Sequence, residues 1–183
     1  MKKLKILFLC TGNSCRSQIA EGWARHLKGD VIKAYSAGIE KHGLNPLAVK
    51  IMAEAGVDIS GQQSKTLEDL PESVFDWVIT LCGHANETCP FFPGQKIHVG
   101  FDDPPKLAVD AENEEEALAH YRRVRDEIKV FIMTLPQSLQ AIIRFSALQS
   151  IFLFVFFTRR YSVRHLSRSS GLVVSCNRYN VYD

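Results

Sequence analysis

Five residues separate Cys10 from Arg16 in the stretch Cys10-Thr11-Gly12-Asn13-Ser14-Cys15-Arg16-Ser17. An apolar run leads into it and a helical pattern leads out. Gly12 and Asn13 are residue types that tolerate positive φ, so the N–H groups between Cys10 and Arg16 can converge on one point as an anion nest. The helix that follows adds its positive end. Arg16 adds a planar fork suited to the equatorial oxygens of a tetrahedral oxyanion. Cys10 then lies beneath the anion, and the dipoles aimed at it predict a thiolate drawn down from about 8.5 towards the roughly 3.5–7.5 range of activated thiols. The chemistry is attack by sulfur on a phosphate-shaped ligand held by Thr11, Gly12, Asn13, Ser14, Cys15 and Arg16. A Cys-x5-Arg pattern alone is short enough to arise by chance. The strand before it and the helix after it supply the context that such a motif requires.

A second group of residues extends this chemistry to redox transfer. Cys82-Gly83-His84-Ala85-Asn86-Glu87-Thr88-Cys89 is polar and small, without core residues, and reads as a segment able to move. If it were helical, its two cysteines would lie about 10 Å apart along the axis. A disulfide needs Cα atoms within roughly 4.4–6.8 Å. Joining Cys82 to Cys89 would then require local unwinding, which Gly83 and Asn86 make cheap. Beside an activated Cys10, the two thiols read as members of a relay. Asp103 precedes a proline, which holds its backbone extended and fixes where its carboxyl points. It is therefore singled out over Asp102 as the carboxylate that joins the two groups of thiols. The histidines at 26, 42, 84, 98, 120 and 165 show no ligand spacing and read as surface or core residues. His84 alone is placed to tune the mobile segment. Trp23 and Trp77 read as core.

These residues need elements to position them. Leu4–Leu9 has the continuous apolar character of a central parallel strand. Ile19, Ala20, Trp23, Ala24 and Leu27 then share a helical face that Gly29 ends. Val31–Tyr35 reads as a second strand, closed by Ser36-Ala37-Gly38. Asn45 caps a helix with Pro46 at its first position, and Ala48, Ile51, Met52 and Ala55 carry it to Gly56. Ser64–Leu70 reads as a short polar helix. Phe75–Leu81 is a third strand and Ile97–Phe101 a fourth. From about Asn113, Ala117, Tyr121, Val124, Ile128 and Phe131 mark a long amphipathic helix. The alternation predicts an α/β fold: a doubly wound, about four-stranded parallel sheet with helices on both faces. Its chemistry would lie at the carboxyl ends of the strands. Cys10, Cys82 and Asp103 all follow strands, so one edge could gather them.

The chain has 183 residues, enough for one domain with a proper core, and a formal net charge of +2. Residues 145–183 hold five arginines against Asp183, a net +4, which leaves −2 for the first 144. A basic nucleic-acid patch is not expected in the main body. The start carries no export signal, and five scattered cysteines suit a reducing, cytoplasmic setting. After Pro136 the composition changes: lysine is absent, acidic residues vanish until the last position, and Ile151–Phe157 is wholly apolar. Residues 1–138 are thus expected to form the working domain and 139–183 an atypical tail, apolar and then basic. The tail reads as a membrane anchor, an accessory packing element, or non-native sequence from a shifted frame or lost stop codon. Its abrupt composition favours the last, and no catalytic role is assigned to it.

Residues 1–138 resemble the thioredoxin-coupled arsenate reductases, which share the low-molecular-weight protein tyrosine phosphatase fold. The resemblance rests on Cys10–Ser17, on Ser36-Ala37-Gly38, on Cys82 with Cys89, and on Phe101-Asp102-Asp103-Pro104. It implies reduction of arsenate to arsenite, with phosphate or sulfate as mimics, and electrons from thioredoxin with no other cofactor. Cys10 would attack arsenic while Asp103 protonates the departing hydroxide. Ser17 would hydrogen-bond the thiolate. Cys82 and then Cys89 would carry the oxidation to a disulfide that thioredoxin reduces. The alternative is a low-molecular-weight tyrosine phosphatase using Cys10, Arg16 and Asp103. Such phosphatases typically lack the cysteine pair and tend to carry tyrosine where this chain has Pro105. Family members often hold a potassium ion near the loop, and Asn13, Glu21 and Ser36 fit such a site. Lys65 stands where an aspartate would complete it, so its ammonium is expected in place of the cation and no metal is expected. Asn13 is then expected to lock the loop by bonding towards Ser36. Cys15 is expected to face away from the anion.

Overall fold

The structure is a computed structural model that describes residues 2–88 and 94–143. Cys89, Cys176 and the apolar run Ile151–Phe157 lie outside the described residues. In chain order the elements are β1 (Leu4–Cys10), α1 (Arg16–Lys28), β2 (Ile32–Gly38), α2 (Pro46–Glu54), a 3-10 turn (Leu67–Asp69), β3 (Trp77–Thr80), α3 (Gly83–Thr88), β4 (Gln95–His98), α4 (Pro104–Leu107) and α5 (Glu114–Thr134).

The four strands form one all-parallel sheet in the order β2-β1-β3-β4. β1 is flanked on both sides and buried on both faces, which is why its sequence is apolar without alternation. Its side chains still divide by the two-residue period of a strand. Ile6 and Phe8 join a core built with Ile19 and Trp23 of α1, Ile51 and Met52 of α2, and Tyr121, Val124 and Ile128 of α5. Leu7 and Leu9 face the other way, among Tyr35, Phe75, Val78, Cys82 and Ala85. Each fully buried aliphatic or aromatic side chain contributes about 1.5–3 kcal/mol. A polar residue anywhere in Ile6–Leu9 would therefore unseat one layer.

The helix starts follow their local chemistry. The Asn45 side chain accepts hydrogen bonds from the Leu47 and Ala48 N–H groups at 2.9 and 3.1 Å, with Pro46 next in line. Asn113 accepts from the Glu116 N–H at 3.0 Å, and Glu114, Glu115 and Glu116 crowd the positive end of α5. Gly56, at φ +80, takes the left-handed turn after α2.

Three expectations need correction. The strands shift: β2 runs to Gly38, β3 shortens to Trp77–Thr80, and β4 begins at Gln95 rather than Ile97. Ser64–Leu70 is not a helix. Gly38 bridges to Thr66 and its N–H donates to the Lys65 carbonyl at 2.8 Å, so only Leu67–Asp69 turns, under a capping box between Thr66 and Asp69. The backbone at 64–66 is spent on tertiary bonds, which overrides the local helical preference. The segment after Cys82 is also not free of core: it forms α3, and Ala85 is fully buried.

The chain divides into two compact units, Met1–Leu139 and Gln140–Asp183. Leu139 is buried in the core of the first. Of the second, residues 140–143 are described and are helical. Among the described residues no helix is long and apolar enough to cross a membrane.

Candidate active site

The turn from β1 to α1 is shaped by what holds its outer side. The carbonyl of Cys10 accepts from the Ile39 N–H, Thr11 from Glu40, Gly12 from His42, and Ser14 from Asn45, at 3.0–3.2 Å. The Ser64 hydroxyl donates to the Gly12 carbonyl, and the Gln18 amide donates to that of Asn13. Residues 39–45 thus run along the turn and take its carbonyls outward, which leaves the N–H groups of 11–16 for the inner side. The Asn13 and Ser17 N–H groups lie within bonding reach of the Cys10 sulfur.

Asn13 sits at φ 45 and is fully buried. Its amide NH₂ donates to Ser17 Oγ and Ser36 Oγ, both at 2.9 Å, and its Oδ1 accepts from the Lys65 N–H at 2.7 Å and Gln18 Nε2 at 3.0 Å. The side chain is saturated and locks the turn from beneath. Gly12 does not use positive φ, contrary to the expectation from its type. Its need is steric: a Cβ there would lie 2.3 Å from His42 Nδ1. Gly38 is required more strictly, because a Cβ would meet the backbone of Glu40, Thr11 and Asn13 at 2.4, 2.6 and 2.8 Å.

Cys10 is buried, and its sulfur lies 2.8 Å from Ser17 Oγ. Because Asn13 donates to Ser17 Oγ, the Ser17 hydroxyl proton is free for the sulfur. The expected lowering of the Cys10 pKa is nevertheless reversed. Burial pushes the thiol up, outweighing the lowering by the Ser17 hydroxyl and the Ser17 and Asn13 N–H groups, while Cys82 raises it further.

Arg16 does not point its fork at the sulfur. Nη1 donates to the Phe101 carbonyl at 3.0 Å and Nη2 lies 3.4 Å from Asp103 Oδ2. Asp103 has the extended backbone of a residue before proline, at φ −93 and ψ 102, and lines the pocket. Asp102 turns away to an ion pair with Arg123 at 2.8 Å. The two neighbouring carboxylates thus have different partners, Asp103 with Arg16 and Asp102 with Arg123. Cys15 packs into the α1–α2–α5 core while bordering the pocket, and burial holds its thiol well above the ordinary range. The pocket has a volume of about 460 Å³ and is lined by Cys10, Gly12, Arg16, His42, Leu44 and Asp103, among others.

Cys82 follows β3, which lies beside β1 with Leu9 opposite Thr80, so both strands end at the same edge. Cys82 shares a packed cluster with Cys10, and its sulfur lies 3.3 Å from Thr11 Oγ1. α3 is better anchored than its composition implies. Ala85 is in the core, and the Thr80 hydroxyl and Lys96 ammonium donate to Asn86 Oδ1 and its carbonyl at 3.2 and 2.9 Å. Asn86 is therefore a fastening and not a weak point. The proposed partner Cys89 lies outside the described residues.

Glu21 is buried beneath Asn13. Its Oε2 accepts from Ser36 Oγ in a very short bond and lies 3.8 Å from Lys65 Nζ, while Arg25 pairs with Oε1. Arg25 and, at longer range, Lys65 are thus the side-chain cations beside this carboxylate.

The segment 39–45, with His42, and one contact of Thr11 carry no signal in the sequence motif. Thr11 was placed only as a loop donor, yet it also reaches Cys82. Residues 39–45 carried no motif. His42, read as surface or core, lines the pocket. The only signal for them was Gly38, small at the end of a strand beside the loop.

Comparison with known proteins agrees with this geometry. The family model described as low molecular weight phosphotyrosine protein phosphatase matches residues 5–143. A protein from Halalkalibacterium halodurans named arsenate reductase is 53% identical over 140 residues, 75% of this chain and 99% of its own. A structure titled an arsenate reductase in the phosphate binding state superposes with a TM-score of 0.57 at 34% identity, covering 72% of this chain and 95% of that one. A thioredoxin-dependent arsenate reductase from Corynebacterium glutamicum gives 0.54 at 28% identity, over 76% of this chain and 63% of that one. The chain belongs to the low molecular weight phosphotyrosine protein phosphatase family, alongside relatives that bear the name arsenate reductase.

Proposed function

We propose that this chain reduces arsenate to arsenite through Cys10, Cys82 and Cys89 and is regenerated by thioredoxin. The supporting observation is the placement of Cys82 at the end of the strand beside β1, bonded to Thr11 of the oxyanion turn. Arsenate is held by the turn's N–H groups and by Arg16, which must swing from Phe101 and Asp103 to reach it. Cys10 forms a sulfur–arsenic bond while Asp103 supplies the proton with which hydroxide leaves as water. Cys82 thiolate then attacks the Cys10 sulfur. The sulfur–arsenic bond breaks with its electron pair going to arsenic, so arsenite departs and a Cys10–Cys82 disulfide remains. Cys89 displaces Cys10 to leave Cys82–Cys89, which a thioredoxin dithiol reduces as it is itself oxidised. Names borne by the relatives support this reading.

Phosphate-ester hydrolysis by Cys10, Arg16 and Asp103 is the second reading, favoured by the family that matches. Cys82→Ser and Cys89→Ser separate the two. Both variants should lose thioredoxin-coupled arsenate reduction and keep ester hydrolysis. Arsenate turnover that survives either change would overturn the relay.

A further inference from the structure

His42 shares the oxyanion pocket without being assigned to it. Its backbone N–H donates to the Gly12 carbonyl at 3.0 Å, and its ring lies against the Gly12 Cα, where only the missing side chain leaves room. Nε2 is 2.9 Å from Glu40 Oε1, which leaves Nδ1 as the nitrogen on the Gly12 side. A neutral ring that gives its single proton to Glu40 presents a lone pair at Nδ1 and repels an anion. The imidazolium presents an N–H there.

We infer that His42 is a further oxyanion-binding residue, one that takes up a proton as the anion binds and donates from Nδ1 on the Gly12 side of the pocket. This rests on reading the turn as an oxyanion cradle, and it adds a second cationic donor that the Cys-x5-Arg motif does not contain. Other charged or titratable groups facing the site are Cys10, Cys15 and Arg16 from the turn and α1, Asp103 before α4, and Glu40 on the segment of His42 itself. Neighbouring Lys41 is engaged by Asp69 at 2.8 Å. Among these, imidazole is the side-chain type that ordinarily changes charge between pH 5 and 8.

The test uses sulfate, a tetrahedral dianion that does not titrate in that range, and measures its affinity for the full chain by calorimetry from pH 5.5 to 8.5. Binding to the unmodified chain should tighten by about tenfold as pH falls, the scale of one charge-assisted hydrogen bond. His42→Gln should bind sulfate weakly with a flat profile. His42→Lys, whose charge is constant here, should bind with a flat profile nearer the acid-limb affinity, so that charge and not loss of the ring is read. By reciprocity, sulfate should make the His42 ring take up its proton at higher pH in an NMR titration. An unchanged pH profile in His42→Gln, or a ring titration that sulfate does not move, overturns the inference while the cradle stands. No sulfate binding to the unmodified chain at any pH overturns the cradle and the inference together.

Discussion

At the scale of single residues, the reactive sulfur is governed by two opposing effects. Burial raises the Cys10 pKa and hydrogen bonds from Ser17 and the turn lower it, with burial the larger. Because the thiolate is the nucleophile, alkylation of Cys10 by iodoacetamide should still be climbing as pH passes the ordinary thiol range. Ser17→Ala removes a lowering contact, so the same curve should move to higher pH and the rate at pH 8 should fall several-fold; an unmoved curve would contradict the 2.8 Å contact. Gly38 offers a purely steric test. Gly38→Ala sets a methyl against three backbone atoms and should cost about 3 kcal/mol in urea unfolding, with loss of sulfate binding. Gly61→Ala, where a Cβ meets nothing within 4 Å, should change stability by no more than about 0.5 kcal/mol.

At the scale of elements, α3 decides how the relay could close. Ala85 and Asn86 fasten the middle of the helix over Gly83–Thr88. Both ends of the helix, Gly83–His84 and Glu87–Thr88, are exposed. Gly83→Ala enters open space and should strengthen the helix by up to about 1 kcal/mol. Single-turnover mass spectrometry should then show Cys82–Cys89 closure slowed by about fivefold, with the formation of Cys10–Cys82 unaffected. Equal slowing of both steps would place the unwinding elsewhere. The segment 39–45 acts oppositely, as a rigid rail whose N–H groups take the outward carbonyls of the turn.

At the scale of the whole molecule, the first compact unit carries its own acid sensitivity. Glu72 accepts from Lys5, Lys33 and Tyr35, which hold its carboxyl down at about 2. The folded pKa lies below the unfolded value of about 4.3, so its contribution is complete above that value and is lost as pH falls towards about 2. Glu72→Gln should lower the urea midpoint at pH 7 and flatten its decline between about pH 4.3 and 2. A decline as steep as before would show that other carboxylates carry it. Chain ending at residue 143 keeps Leu139 and the whole family match. It should retain sulfate binding and the same unfolding midpoint.

Local sequence was sufficient for the strand–turn–helix around Cys10, the cap at Asn45, and the extended backbone of Asp103 before Pro104, because each depends on dihedral preference or hydrogen bonds within a few residues. It was also sufficient for a parallel sheet, since the apolar run Leu4–Leu9 has few other solutions. Tertiary structure alone decided that Ser64–Thr66 would be extended, because distant Gly38 and Asn13 claim its backbone. It decided as well that Cys10 is raised by burial, that Thr11 meets Cys82, and that His42 lies on Gly12. Those outcomes depend on contacts between segments far apart in the chain, and no periodicity or motif within one segment encodes what the other will bring.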